Sequence, residues 1–167
     1  NGGITFNETD FNPINLGLGG LGSTFRIYSI LHHPTLANTL FIGTSNGLYK
    51  TTYNFTTWTQ VINEGEFTHI KIHPTNPQIV YTINNFRDFW ETTTIIERDL
   101  LYVSYDGGNS FVTTTINGNN NASANIEVTP NAANEVYFAS SSGIFKSTNN
   151  GINFSFVGNA SFGTDAF

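Results

Sequence analysis

The sequence predicts an all-β protein made of repeated four-stranded antiparallel sheets, and three observations predict it. The apolar content is aromatic and β-branched, with fifteen Phe, seven Tyr, two Trp, no Met and no Cys among 167 residues, which suits pleated, half-buried surfaces. No stretch keeps apolar residues at i, i+3 and i+4 between caps over three turns, so helix signals are nearly absent. Finally, three segments can be laid over one another: "FRIYSILHHPTLANTLFIGTSNGLYKTTYNFTTWTQV", then "FTHIKIHPTNPQIVYTI" continuing after an insertion as "LLYVSYDGGNSFVTT", then "ANIEVTPNAANEVYFASSSGIFKSTNNGINFSFV". A period of roughly 40 to 55 residues is that of a repeat architecture in which each unit buries its faces against its neighbours.

Residues 1–24 precede the repeats. They hold the strand-like "GITFNE", with Ile4 and Phe6 on one strand face, and the glycine-rich "NLGLGGLGS", which reads as a hinge behind a donor strand. Residues 25–158 hold the repeats, at 25–63, 66–116 and 123–158. Each begins with an alternating run and a proline-containing turn (Pro34; Pro74 and Pro77; Pro130). An aromatic and aliphatic run follows (Leu40–Gly43; Ile79–Ile83; Val136–Ala139), then a Gly or polar turn and two short runs, giving four strands per repeat. Residues 159–167, ending "ASFGTDAF" with its preceding Asn, form a last strand or tail.

The turn between the third and fourth strands carries the most specific pattern. In the second repeat it is "SYDGGNSF", with Ser104, Asp106, Gly108 and Phe111; in the third it is "STNNGINF", with Ser147, Asn149, Gly151 and Phe154. The first repeat has "TTYNFTTW", keeping a hydroxyl at Thr51 and an aromatic at Trp58 but placing Tyr53 at the acid position and Phe55 at the glycine. An Asp or Asn here accepts hydrogen bonds from nearby amides, a Gly takes positive φ, and the ring packs between neighbouring sheets. These roles are structural.

Ser-x-Asp-x-Gly-x-x-aromatic at this turn resembles the Asp-box, or bacterial neuraminidase repeat, of sialidases, some xyloglucan-cleaving enzymes and sortilin receptors. "HPTNPQIVY" (residues 73–81) resembles the link between first and second strands in those propellers. The likeness covers about residues 25–157, and it implies an incomplete or trans-completed Asp-box β-propeller whose boxes lie on the face away from any active site. Propellers close with about four to eight blades. Three leave uncovered sheet faces and strand edges, which invite association.

The insertion "NNFRDFWETTTIIERD" (residues 84–99) departs from the repeat and falls on the end opposite the boxes. Phe86, Phe89 and Trp90 beside its charges suit a protein-interface anchor, sugar stacking, or a hairpin packed on its own blade. Catalytic constellations are sparse. The resemblance to sialidases implies three convergent arginines with a Tyr and a Glu, yet Arg87 and Arg98 share the insertion and Arg26 opens a first strand. Asp88 and Glu97 also share that loop, whereas a glycosidase needs two carboxylates across a cleft. No catalytic residue is assigned.

His69 and His73 would lie about 13 Å apart along a strand, too far to share an ion. Neither metal nor cofactor is expected. A net charge of −6, with six Lys and Arg against twelve Asp and Glu, opposes binding to nucleic acid or an anionic membrane surface. No apolar run reaches the length of a membrane span, and a start at Asn1 suggests a processed or cut chain. Sequons stand at Asn7, Asn54, Asn121, Asn153 and Asn159. A surface rich in Asn, Thr, Ser and Gly points to an extracellular or cell-surface glycoprotein. The expectation is therefore a non-enzymatic structural or adhesive subunit that binds copies of itself through sheet edges and exchanged terminal strands, up to a filament, with glycans as further partners. The alternative is a fragment of a carbohydrate-binding or glycoside-hydrolase propeller.

Overall fold

The computed structural model describes residues 25–52, 57–63, 65–88, 96–116, 125–130, 132, 134–140 and 142–158. These form three four-stranded antiparallel sheets and no helix. The first sheet orders β1 (Ile27–His32), β2 (Leu40–Thr44), β3 (Gly47–Thr52) and β4 (Thr57–Ile62); the second, β5 (Phe67–Ile72), β6 (Val80–Asp88), β7 (Ile96–Ser104) and β8 (Val112–Thr114). The third comprises β9 (Asn125–Val128), β10 (Val136–Ser140), β11 (Gly143–Ser147) and β12 (Ser155–Gly158). The all-β fold class read from the sequence is the one observed.

Registers align the repeats residue by residue. Leu40 opposes Thr51, Val80 opposes Ser104, and Val136 opposes Ser147. Because side chains alternate along a strand, the first residue of each second strand faces the preceding sheet and the next residue faces the following one. Val80 thus joins Phe41, Leu48, Phe67 and Ile70 between the first and second sheets. Tyr81 joins Leu101, Val103, Ile126, Val136, Phe138 and Phe145 between the second and third. The turn from first to second strand is closed in each sheet by the same backbone bond, His33 N to Thr39 O, His73 N to Ile79 O and Thr129 N to Glu135 O, with a second bond inside it from Thr39 N to Leu36 O, Ile79 N to Asn76 O and Glu135 N to Ala132 O.

The stack does not close. In the first sheet Ile30 is 65% exposed, whereas its counterparts Ile70 and Ile126 are buried against a preceding sheet. In the third sheet Ile144 is 36% exposed, whereas Leu48 and Leu101 at the same position are fully buried. These are the two open faces expected of an incomplete propeller.

The insertion continues two strands. Pairing of β6 with β7 runs from Val80↔Ser104 out to Phe86↔Arg98, Arg87↔Glu97 and Asp88↔Ile96. Phe86 therefore falls within β6, while Phe89 and Trp90 lie outside the described residues, as do Ile4, Phe6, Asn7, Asn54, Asn121 and Asn159. The hairpin arises because Asn85–Asp88 and Ile96–Asp99 continue the antiparallel ladder beyond the point where the other two sheets turn. Ile96 and the turn at Ser104 sit at opposite ends of β7, about 27 Å apart for nine extended residues.

Candidate functional site

The turn after β7 is built around two side chains. Ser104, buried at the end of the strand, accepts from Gly108 N at 2.8 Å and Asp106 N at 3.3 Å and donates to Asp106 Oδ1 at 2.7 Å. Asp106 Oδ1 also accepts from the amides of Asn109 and Ser110, each at 2.9 Å, and Oδ2 accepts from the Ser110 hydroxyl at 2.6 Å. Burial alone would raise the Asp106 carboxyl, but hydrogen bonds from Ser110, Ser104 and Asn109 outweigh it and hold the group at about 2. Four hydrogen bonds from its own turn, three on Oδ1 and one on Oδ2, make this carboxylate a turn-forming group.

The turn after β11 repeats this geometry without the charge. Ser147 Oγ accepts from Gly151 N at 2.9 Å and from Asn149 N at 3.2 Å and pairs with Asn149 Oδ1, which in turn accepts from Asn153 N at 3.0 Å. Asn153 itself is exposed. In the first sheet Thr51 Oγ1 instead donates to Thr57 O at 2.7 Å, and Trp58 is half-buried in β4. Phe111 packs against the cluster between sheets one and two, and Phe154 against the cluster between two and three, edge-on to Phe138 at 6.3 Å.

Asp106→Ala is expected to lower folding free energy by about 1–2 kcal/mol through the amides it strands. Asp106→Asn, which recreates the Asn149 turn, should cost less. The folded-state carboxyl lies below its unfolded value of 3.8, so its stabilisation is present above about pH 4 and is lost as pH falls through about 2. Urea midpoints should therefore drop more steeply over that interval for the wild type than for Asp106→Asn.

These turns are joined to the sheet before them by contacts that span the sheet junctions. Gly108 (φ 78°) lies so close to Phe41 that a Cβ would stand 2.4 Å from its ring, and Gly151 (φ 82°) lies so close to Tyr81 that a Cβ would stand 3.0 Å away. Lys50, buried in β3, donates to Gly107 O and Asn109 Oδ1, both at 2.8 Å, with its ammonium 5.6 Å from the Phe41 ring centroid. Burial lowers the Lys50 pKa, partly offset by the nearby Asp106 charge. His33 adds a second tie. Its Nδ1 accepts from Leu36 N at 3.1 Å, so its Nε2 carries the proton and donates to Pro77 O at 3.0 Å. Burial lowers its pKa and keeps it neutral in this role. His73 repeats the turn, accepting from Asn76 N at 3.0 Å.

None of these junction residues stands out in a single repeat. Their signal appears only on alignment: an aromatic as second residue of the second strand (Phe41, Tyr81, Tyr137), and Lys before the turn hydroxyl in repeats one and three (Lys50, Lys146).

The fold is similar to that of glycoside hydrolase family 74 (GH74) enzymes. An ancestral GH74 enzyme shares 26% identity at a TM-score of 0.70, over 81% of this chain and 19% of that one. The GH74 enzyme of Niastella koreensis gives 18%, 0.62, 77% and 22%, and the GH74 xyloglucanase of Xanthomonas campestris 16%, 0.57, 83% and 24%. No protein-family model and no curated protein matches the sequence. The chain thus spans about a fifth of the length of these β-propeller enzymes.

This overturns the expectation of a non-enzymatic chain, because the solved structures it resembles are glycoside hydrolases. Three arginines with a Tyr–Glu pair are the needs of one propeller chemistry only. Two carboxylates facing across a cleft can belong to separate blades, so a short segment need not hold both.

Proposed function

We propose that this chain is a three-blade segment of an extracellular, Asp-box-containing glycoside-hydrolase propeller acting on a β-glucan of the xyloglucan kind. The observation that carries the reading is the likeness to an ancestral GH74 enzyme over 81% of this chain, at 26% identity. The repeated Ser-x-Asp/Asn-x-Gly turns support the Asp-box assignment, since Ser104 and Ser147 hold the turn glycine's amide at 2.8 and 2.9 Å. Their acceptors are spent on the turns themselves, which leaves substrate to the opposite end of the blades.

There β6 and β7 extend past the point where the other sheets turn, with Phe86 in β6 and Phe89 and Trp90 next in the sequence. Aromatic rings stack on the apolar faces of sugars, and adjacent charged and amide groups bond their hydroxyls. The hairpin is the substrate-facing element and the box turns are the folding elements. Among the described residues no helix is long and apolar enough to cross a membrane.

Affinity electrophoresis in gels containing xyloglucan tests the reading. The chain should be retarded by xyloglucan, and Trp90→Ala should weaken binding roughly tenfold, the scale of one lost aromatic anchor. Equal mobility with and without the polysaccharide would remove the hairpin from substrate binding.

A further inference from the structure

The two junctions inside the stack use one contact in two chemical versions, and the outer face of the third sheet carries half of a third. At the first junction Phe41 lies under Gly108 while Lys50 donates to the carbonyl of Gly107, the residue before that glycine. At the second, Val103 stands where Lys50 stands. The aromatic there is a tyrosine, Tyr81, whose own hydroxyl donates to Asn150 O at 3.3 Å, again the carbonyl before the glycine. Each junction therefore needs a ring beneath the turn glycine and one donor to the carbonyl preceding it.

In the third sheet the corresponding positions are Tyr137 and Lys146. The Lys146 ammonium lies 5.4 Å from the Tyr137 ring centroid, close to the 5.6 Å of Lys50 over Phe41. Phe41 and Tyr81 are fully buried, but Tyr137 is only half-buried. Both donors rest on Glu135, Lys146 at 2.6 Å and the Tyr137 hydroxyl at 3.3 Å. An ammonium has three hydrogens, so Lys146 can keep Glu135 and still reach a turn carbonyl. Ring, donor and exposed Ile144 together repeat the receiving side of the junctions already formed.

We infer that the outer face of the third sheet, through Tyr137, Lys146 and Ile144, docks a further blade of the same propeller whose turn presents a glycine at the box position. This rests on the propeller-segment reading above. A second copy of the chain does not fit by the same geometry. In the aligned sequence its first repeat has Phe55 at the position of Gly108 and Gly151, and even a Cβ at those glycines would meet the ring at 2.4 or 3.0 Å. Its other two box turns are already seated on Phe41 and Tyr81. The GH74 enzymes it resembles extend well beyond the matched portion, which is 19–24% of their length.

The test gives the first sheet the missing turn. The full chain carrying Tyr53→Asp and Phe55→Gly should self-associate head to tail in sedimentation velocity at a concentration where the wild type does not. Adding Tyr137→Ala should weaken that association roughly tenfold. Circular dichroism and urea midpoints establish that each variant is folded. A folded double variant that sediments like the wild type, or one indifferent to Tyr137→Ala, overturns the proposal. Wild-type association that depends on Tyr137 assigns the face to a second copy and likewise overturns it.

Amine acylation of unmutated protein gives an independent reading. In the 167-residue chain Lys146 should react faster than the buried Lys50; in the natural polypeptide purified from its source, Lys146 should be protected to the same degree as Lys50. Unchanged Lys146 reactivity there sinks the idea. Neither readout involves polysaccharide, so failure here is distinct from failure to bind xyloglucan.

Discussion

Phe41→Ala is expected to lower folding stability by about 3–5 kcal/mol, read as a large fall in the urea midpoint at unchanged slope. The ring is fully buried in the cluster that joins the first and second sheets, and it supports two things besides that cluster. It is the surface on which Gly108 lies, and it stands beneath the Lys50 ammonium. Removing it leaves a cavity under a turn whose backbone cannot collapse into it, because the Ser104 and Asp106 hydrogen bonds hold that turn in place. Phe41→Leu should recover part of the loss, and Lys50 should become more reactive to acylating reagents in Phe41→Ala. A loss below about 1 kcal/mol would place the ring outside the junction that holds the sheets together.

Gly108→Ala is expected to be destabilising by about 2–4 kcal/mol for two separable reasons. A φ of 78° places an L side chain in the left-handed region, at about 1 kcal/mol or more. The new methyl would also stand 2.4 Å from two Phe41 ring carbons, and overpacking of this kind adds about 1–3 kcal/mol. A double-mutant cycle separates them. In the Phe41→Ala background the clash is absent and only backbone strain remains, so the second substitution should cost about 1 kcal/mol and the pair should be clearly non-additive. Additive losses would show that the glycine is needed for its backbone alone.

The sheets were legible because their signals are local. Period-two alternation in "ANIEV", the proline turns, and the recurrence of a hydroxyl, an Asp or Asn, a Gly and an aromatic each lie within a few residues of chain. The bonding of the turn after β7 is equally local, since Ser104 and Asp106 bond amides within four residues of themselves. The junction was not legible. Its partners are tens of residues apart, as Lys50 and Gly107 are, and its chemistry changes from Phe with Lys to Tyr with Val while the geometry stays. Only register-aligned repeats show that Tyr137 and Lys146 combine both versions.

The reach of β6 and β7 to Asp88 and Ile96 was hidden for another reason. "NNFRD" and "IERD" mix charge, amide and ring without clean alternation, and the ladder is supplied by the backbone. A glycoside-hydrolase propeller fragment was legible as the alternative reading, but the non-enzymatic reading was preferred because so short a stretch, about a fifth of the GH74 structures it resembles, offers few arginines and carboxylates to weigh.

We have proposed that these three sheets belong to a propeller that cleaves xyloglucan-type chains. The most direct measurement is release of reducing ends from xyloglucan by the natural polypeptide that contains residues 1–167, purified from its source. Release of oligosaccharides from xyloglucan, greater than from unbranched cellulose and reduced by removal of the β6–β7 hairpin, is the predicted result. A folded natural polypeptide that neither releases reducing ends from any β-glucan nor is retained by one would contradict it.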